Sequence, residues 1–206
     1  GGVTDEKMAQ SFLQIIYDEN ERLNRLIGDI LELSKIESKR VHLDCSPIHL
    51  SSFFDSVLET LSKVAEKKKI SLSAEVPEEL FIEGDEDKLR QIFMNLLSNA
   101  INYTHDGGNV KVSAVSKQED DGSESVIFRV SDTGMGIPRK DLPRIFERFY
   151  RVDKARSRSS GGTGLGLSIV KHLVELHRGA ISVESNLGIG TSFILELPLL
   201  QESEDI

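Results

Sequence analysis

The sequence has one cysteine, Cys45, so it cannot form a disulfide within the chain. This scarcity is typical of a reducing compartment, and we expect Cys45 to pack as a small apolar side chain. The sequence also lacks an apolar run near the ~20 residues that cross a membrane, and it shows no signal-peptide pattern. A cytoplasmic domain with no direct membrane contact is therefore expected.

Basic residues are in deficit, with 25 Lys and Arg against 34 Asp and Glu and a net charge of −9. Nucleic-acid-binding surfaces carry the opposite charge, so no nucleic acid partner is expected. The deficit is uneven, because residues 139–158 contain eight basic and three acidic side chains. This basic segment is interpreted either as a solvated flexible loop or as a lid that attracts a polyphosphate.

Two runs are rich in glycine: residues 132–136 read Asp-Thr-Gly-Met-Gly, and residues 161–167 read Gly-Gly-Thr-Gly-Leu-Gly-Leu. The second run lacks the Lys of a P-loop and the glycine spacing of a Rossmann fingerprint. It leads into an amphipathic stretch, 165–174, so close backbone approach and a helix N-terminus are expected together, as at an anion site. Asp132 offers an acceptor for an exocyclic amine such as that of adenine. The runs predict a nucleotide site, with two surface turns as the alternative.

The spacing of apolar residues predicts the order of helices and strands. Helices are expected over residues 5–38, 50–69, 85–105, 141–149 and 165–177, and strands over residues 41–45, 70–76, 80–83, 109–115, 125–131, 180–185 and 191–197. Pro47 is expected to end the first strand, and Asp85 is expected to be the N-cap of the third helix. Asp121 and Gly122 are expected to form a hairpin turn.

These elements predict an α/β fold, an α/β sandwich in which helices cover one face of a mixed sheet, over residues 41–198. The long helix at 5–38 is a separate element within residues 1–40. Its apolar residues follow the spacing of a bundle or coiled coil, so it needs a partner to bury them. Residues 199–206 are expected to form an acidic disordered tail.

The third predicted helix carries Asn95 and Asn99 one turn apart on one face. Two amide oxygens side by side suit a hard cation that is already shared with phosphate oxygens. Simple solvation of the helix flank is the alternative. Tyr103 follows one turn later and could stack on a base.

Five segments occur together in a specific order: residues 95–100, 132–136, 144–151, 162–166 and 188–191. In this order they resemble the asparagine box, first glycine box, phenylalanine box, second glycine box and last glycine–threonine element of bacterial two-component sensor histidine kinases. The resemblance is to their ATP-binding catalytic domain and covers essentially the whole chain. Residues 31–37 and 146–153 look most similar to phosphate-responsive or cell-wall-responsive sensor kinases of Gram-positive bacteria. The implied fold is the ATP-binding fold shared with the heat-shock chaperones and type II topoisomerases.

The resemblance implies which residues hold ATP and Mg²⁺. Asp132 would accept a hydrogen bond from the adenine amino group, above a turn shaped by Gly134 and Gly136. Thr191 would support the adenine pocket. The residues implied at the phosphates are Asn99 and Asn95 as Mg²⁺ ligands, Arg151 at the terminal phosphate, and Gly162, Thr163, Gly164, Leu165 and Gly166 as backbone donors. Phe146 and Phe149 would anchor a lid over residues 146–163.

Asn95 also bears on the reaction. The related ATPases usually have Glu at this position, where it activates water. An amide has no useful basicity, so Asn95 cannot act as a general base. The resemblance therefore implies a kinase that keeps the γ-phosphate for another acceptor, with Asn95 and Arg151 as the catalytic residues.

Two departures from the family pattern stand out. Asn102 occupies a position where many members have Lys, so that contact with the phosphates is in doubt. None of the five histidines lies in the family's acceptor motif; they are His42, His49, His105, His172 and His177. The resemblance makes residues 5–38 the second helix of a dimerisation and phosphoacceptor hairpin whose first helix is missing, so this chain is not expected to autophosphorylate.

The sequence thus predicts the catalytic domain of a protein-histidine kinase. Its implied partners are an acceptor-His hairpin, a cognate response regulator and a second copy in the full-length protein. The parent is expected to be a membrane-anchored sensor with this portion in the cytosol. The alternatives are a nucleotide-binding regulatory module without catalysis, an ATPase of the same superfamily, and an interaction protein that uses only the first helix.

Overall fold

The computed structural model describes residues 6–37, 42–118, 122–152 and 163–200. Several predictions from the sequence lie outside these residues. They concern Gly162, Asp121 of the proposed turn, residues 153–158 of the basic segment, residues 153–162 of the proposed lid and residues 201–206 of the tail.

Four α-helices and seven strands make up the described chain. The helices are α1 (Glu6–Glu37), α2 (Leu50–Lys67), α3 (Glu86–Tyr103) and α4 (Gly166–Leu176). The strands are β1 (Ser46–His49), β2 (Ser71–Glu75), β3 (Phe81–Gly84), β4 (Asn109–Gln118), β5 (Glu124–Asp132), β6 (Ala180–Asn186) and β7 (Gly190–Pro198). Apart from two corrections given below, the elements agree with the predicted ones.

The main sheet has five strands in the order β2-β4-β5-β7-β6. β2 is parallel to β4, and the other neighbours are antiparallel, so the sheet is mixed as predicted. Alternate side chains of β4, β5 and β7 are buried, which is the pattern of a sheet covered on one face. β1 and β3 form a separate antiparallel pair. The α/β sandwich with a preceding long helix is confirmed.

The core is centred on three aromatic side chains from α2, α3 and β5. Phe54, Phe93 and Phe128 are fully buried. The ring of Phe93 lies 4.7 Å from that of Phe54 and 5.1 Å from that of Phe128. Tilted and edge-on contacts at these distances add to the gain from apolar burial. This cluster joins the helical layer to the middle of the sheet.

Both ends of α3 are fixed by side chains. Asp85 is the N-cap and accepts a hydrogen bond from the Lys88 N–H at 3.1 Å, as predicted. At the other end, the Lys68 ammonium donates to the carbonyls of Ile101 and Thr104, each at 2.6 Å. A cation at the C-terminus also complements the helix dipole. α3 is therefore a rigid support for the asparagines that it carries.

Two predicted elements were wrong. The strand expected over residues 41–45 lies instead at Ser46–His49 and contains Pro47. Proline is tolerated there because β3 is the one strand that pairs with β1 in the described part of the chain, which makes β1 an edge strand. The helix expected over residues 141–149 is only a 3₁₀ turn, Leu142–Arg144. Phe149 has φ +60°, a left-handed conformation that a right-handed helix cannot contain.

The long helix α1 is confirmed, and it packs against the rest of the chain mainly through its second half. Leu33 is buried and Leu26 is partly buried in the core. Many other apolar side chains of α1 are exposed; they include Met8, Phe12, Leu13, Ile15, Ile16, Leu23 and Ile27. Among the described residues, no helix combines the length and the apolar content that crossing a membrane would take.

Candidate functional site

An open cavity of about 500 Å³ lies between α3, the start of α4 and the loop that follows β5. It brings together most of the residues that the sequence singled out: Asn95, Asn99, Tyr103, Asp132, Gly136, Arg151, Thr163, Gly164, Gly166 and Thr191. Asn102 also lines it. Gly134 and Leu165 do not line the cavity, although both adjoin residues that do. Gly162 lies outside the described residues.

Asp132 lies at the end of β5, directly opposite Thr191 of β7. Its Oδ1 accepts hydrogen bonds from the N–H groups of Gly134, at 2.8 Å, and Thr191, at 3.3 Å. Both bonds reach the same oxygen, so within the described part of the chain Oδ2 is the atom left to accept a bond from a ligand. Burial raises the pKa of the Asp132 carboxyl above its usual range, and the two amide N–H groups oppose this effect.

The glycines after Asp132 are required by the protein's own packing. A Cβ on Gly134 would lie 2.5 Å from the Tyr103 carbonyl oxygen. Gly136 has φ +69°, and a Cβ there would collide with the Asn186 carbonyl. The loop after Asp132 is therefore closely packed between the end of α3 and the β6–β7 hairpin. The sequence correctly marked these glycines, but the close approach is to backbone of the same chain.

Apolar side chains form much of the wall around Asp132. Met135, Ile137, Ile145, Leu187 and Phe193 all line the cavity. Such a wall suits the faces of a flat aromatic ligand, whose polar edge Asp132 would read. Sequence reasoning missed these residues because they come from four separate segments, and each resembles an ordinary core or turn position.

The other part of the cavity lies at the start of α4. A Cβ on Gly166 would lie 2.8 Å from Asn95 Oδ1, so the glycine lets α3 and α4 meet closely. The N-cap residue of α4, Leu165, makes no hydrogen bond from its own side chain to the first N–H groups of the helix. The Asn95 Nδ2 donates to the Gln91 carbonyl, which orients the amide. Backbone N–H groups and amide oxygens therefore face each other here, a combination that suits an anion and its counter-cation.

The two parts of the cavity are separated along α3. Asn95 contacts the start of α4, whereas Tyr103 contacts the loop after Asp132. Eight residues of α-helix separate them, a rise of ~12 Å. This spacing allows one elongated ligand to reach both parts.

Arg151 contributes a cation to the same cavity. Its Nη2 is buried and has no hydrogen-bond partner in the described part of the chain. A buried guanidinium nitrogen without a partner is costly, and an anionic ligand would relieve that cost. The preceding residues are held in place, since the Phe149 N–H donates to the Gly164 carbonyl and the Tyr150 hydroxyl donates to Asp141. Phe149 itself is exposed, and Phe146 is partly buried against the core.

Two further cavity residues, Arg25 and Asp29, come from α1. The Thr163 hydroxyl donates to Asp29 Oδ2 at 2.7 Å. Burial raises the pKa of Asp29, while the Thr163 hydrogen bond and the nearby Arg25 lower it. Sequence reasoning missed both residues, because they belong to the long first helix and lie far from the glycine runs along the chain.

Comparison with known families gives this cavity a context. The sequence profile described as "Histidine kinase-, DNA gyrase B-, and HSP90-like ATPase" matches residues 84–201, which include both glycine runs and all of α3. The chain belongs to this family. The matched residues include the strands β4 to β7, α4 and all the cavity residues except those from α1.

Curated proteins to which this chain is similar include sensor kinases. It is 37% identical over 206 residues to sensor histidine kinase WalK of Bacillus subtilis, covering all of this chain and 33% of that protein. It is 39% identical over 199 residues to sensor protein kinase WalK of Staphylococcus epidermidis, covering 96% of this chain and 32% of that protein. The chain thus spans about a third of the length of these relatives. The predicted resemblance to sensor histidine kinases of Gram-positive bacteria is confirmed.

Solved structures of histidine kinases share the fold of this chain. Full-length ShkA in complex with AMPPNP superposes with a TM-score of 0.76 at 30% identity, covering all of this chain and 42% of that one. Histidine kinase ThkA in complex with response regulator protein TrrA has a TM-score of 0.76 at 28% identity, covering 98% of this chain and 55% of that one. The likeness to these histidine kinase structures therefore extends over nearly the whole chain.

Proposed function

We propose that this chain is the ATP-binding catalytic domain of a sensor histidine kinase. It binds Mg·ATP and donates the γ-phosphate to a histidine on a separate helix, for relay to an aspartate of a response regulator. The observation that carries the proposal is one cavity that joins a half-buried acceptor, Asp132, to the Arg151 guanidinium and the start of α4. Among the described residues, Nη2 of that guanidinium has no hydrogen-bond partner. The AMPPNP complex of ShkA supports the choice of an adenine nucleotide.

In this proposal Asp132 accepts from the adenine amino group through Oδ2, and Tyr103 and Thr191 border the base. Arg151 pairs with the terminal phosphate. The backbone of Thr163, Gly164, Leu165 and Gly166, together with Gly162, donates to the phosphates. Two observations fit this assignment: Nη2 of Arg151 has no hydrogen-bond partner among the described residues, and Gly166 lies close to Asn95.

A Mg²⁺ ion would be held by Asn99 and Asn95 together with phosphate oxygens. The described residues contain no group of three or more His, Cys, Asp or Glu side chains that could bind a metal by themselves. A neutral amide pair fits an ion that arrives with its own anionic ligand, as Mg²⁺ does with a polyphosphate. When bound, the ion would neutralise phosphate charge.

The proposed reaction is phosphoryl transfer to a side chain, with water excluded as acceptor. Asn95 stands next to the start of α4, and its amide cannot accept a proton from water. Phosphoryl transfer depends mainly on positioning and charge neutralisation, which the cavity residues supply. Hydrolysis needs an activated water, for which the cavity offers no base at Asn95.

We further propose that α1 is the second helix of a dimerisation and phosphoacceptor hairpin within residues 1–40, ahead of a catalytic domain over residues 41–198. Its exposed apolar stripe fits a bundle with the first helix and with a second copy of the kinase. The parent protein is then a membrane-anchored sensor with this portion in the cytosol, and its partner is a cognate response regulator, as in the ThkA–TrrA complex.

The test uses γ-labelled ATP, Mg²⁺ and a separately supplied hairpin that carries the acceptor histidine. The expected result is acid-labile, base-stable label on the hairpin and none on this chain. Binding of ATP without any transfer would point to a regulatory module instead. Steady release of free phosphate that is lost in Asn95→Ala would point to an ATPase. Absence of nucleotide binding would refute the proposal altogether.

A further inference from the structure

Two linked hydrogen bonds join α1 to the second glycine run. The Thr163 hydroxyl donates a hydrogen bond to Asp29 Oδ2 at 2.7 Å. The same hydroxyl oxygen accepts a hydrogen bond from the Leu165 N–H at 3.2 Å. A hydroxyl has one proton to give, so its bond to the carboxylate leaves its lone pairs for the amide. Asp29 therefore fixes the Thr163 hydroxyl in the orientation in which its oxygen accepts the hydrogen bond from the Leu165 N–H.

The position of Asp29 is itself fixed, because α1 is held on the domain by the residues that follow it within one turn. Leu33 is buried one turn later. Glu32 forms an ion pair with Lys88 at 3.2 Å and accepts a hydrogen bond from Gln91. Asp29 is half-buried and lines the cavity. A negative charge is thus anchored at the place where the start of α4 offers its N–H groups.

We propose that Asp29 is a positioning residue that lowers the affinity of the site for phosphorylated nucleotides while α1 is docked. This inference rests on the proposed nucleotide-binding function. The carboxylate acts in two ways: through Thr163 it keeps the Leu165 N–H occupied, and its charge opposes phosphates in the same cavity. Nucleotide binding and docking of α1 therefore compete, and the penalty grows with the number of phosphates.

Arg25 lies one turn before Asp29 and lines the same cavity with the opposite charge. Its guanidinium lowers the pKa of Asp29, so it stabilises the carboxylate form. It also attracts phosphates directly. Replacing each residue should therefore shift nucleotide affinity in opposite directions.

The test measures dissociation constants of adenosine, ADP and ATP by calorimetry in EDTA at fixed ionic strength. Asp29→Asn keeps an acceptor for Thr163 but removes the charge. It should tighten ATP about fivefold, ADP less and adenosine not at all, a size typical of one partly exposed charge pair. Asp29→Ala also releases Thr163 and should tighten ATP at least as much. Arg25→Gln should weaken ATP more than adenosine.

The matched control is Glu21→Gln, which removes a carboxylate from an exposed position on the same helix outside the cavity. It should change none of the three constants. An equal gain for adenosine and ATP in Asp29→Asn, no gain, or a loss of ATP affinity would each overturn the inference. If the unmodified chain binds neither adenosine nor ATP, the proposed function itself fails, which is a separate outcome.

Discussion

The side chain of Asp132 allows a sharp test of nucleotide recognition. In Asp132→Asn the amide oxygen can still accept from the N–H groups of Gly134 and Thr191, so the loop keeps its support. The atom that replaces Oδ2 becomes an NH₂ group. It would face the adenine amino group donor to donor, so the hydrogen bond to the base is lost.

The size of the effect follows from the bond that is removed. A hydrogen bond to a charged group contributes about 1.5–3 kcal/mol, which corresponds to about 10- to 100-fold in Kd. The protein itself should not be destabilised. Burial raises the pKa of Asp132 in the folded state, so the carboxylate is less favourable there than in the unfolded chain, and a neutral amide removes that cost at neutral pH.

The assay is calorimetric titration with ATP and with inosine triphosphate, which carries an acceptor in place of the adenine amino group. ATP should bind more weakly to Asp132→Asn, while the inosine nucleotide should bind relatively better. Asp55→Asn, an exposed carboxylate on α2, is the control and should change neither value. Unchanged ATP affinity, or equal weakening of both nucleotides, would refute the proposed role of Asp132.

Three further predictions concern stability and packing. Burial lowers the pKa of His177 below its ordinary value of 6.5. Its contribution to the free energy of unfolding is therefore complete above that pH and is lost as pH falls, by at most about 1.4 kcal/mol per pH unit. In urea unfolding, the stability of His177→Gln should depend less steeply on acid pH than that of the unmodified protein, and an equal slope would contradict this. Gly166→Ala should displace Asn95 and weaken ATP binding in calorimetry, whereas Gly28→Ala, with open space around it, should not. Phe93→Ala should lower the free energy of unfolding by about 3–5 kcal/mol, and a urea-measured loss below about 1 kcal/mol would contradict its central place in the core.

The helical layer was predictable because its signals are local. The buried face of α3 follows directly from the spacing of its apolar residues. Asp85 caps the helix because a short polar side chain just before a helix can accept a hydrogen bond from its first N–H groups. The same spacing places Asn95 and Asn99 on one face. These features depend on neighbours within one or two turns, so the sequence alone carries them.

The two wrong elements have a different origin. Phe149 adopts a left-handed conformation, and its N–H donates to the carbonyl of Gly164, which belongs to a distant segment. Helical spacing in residues 141–149 could not reveal that contact. Likewise, Pro47 was read as the end of a strand, although at the edge of a sheet it can lie within one.

Contacts between distant segments limited the prediction of the site as well. The Asp29–Thr163 hydrogen bond joins residues 134 positions apart. The apolar wall is also assembled from several segments, and Met135 and Leu187 looked like turn residues. Motif order identified the residues at the two parts of the cavity, but only the fold shows what closes its sides.

The register of β5 with β7 has a consequence for how the protein is made. Asp132 is placed opposite Thr191, and β5 lies between β4 and β7 in the middle of the sheet. A nascent chain therefore cannot pair β5 on both sides until β7 has left the ribosome. Until then β5 has an open edge, and the carboxylate of Asp132 lacks the second N–H that holds it. The Asp132 end of the cavity therefore takes its final form only after β7 has been made and has paired with β5.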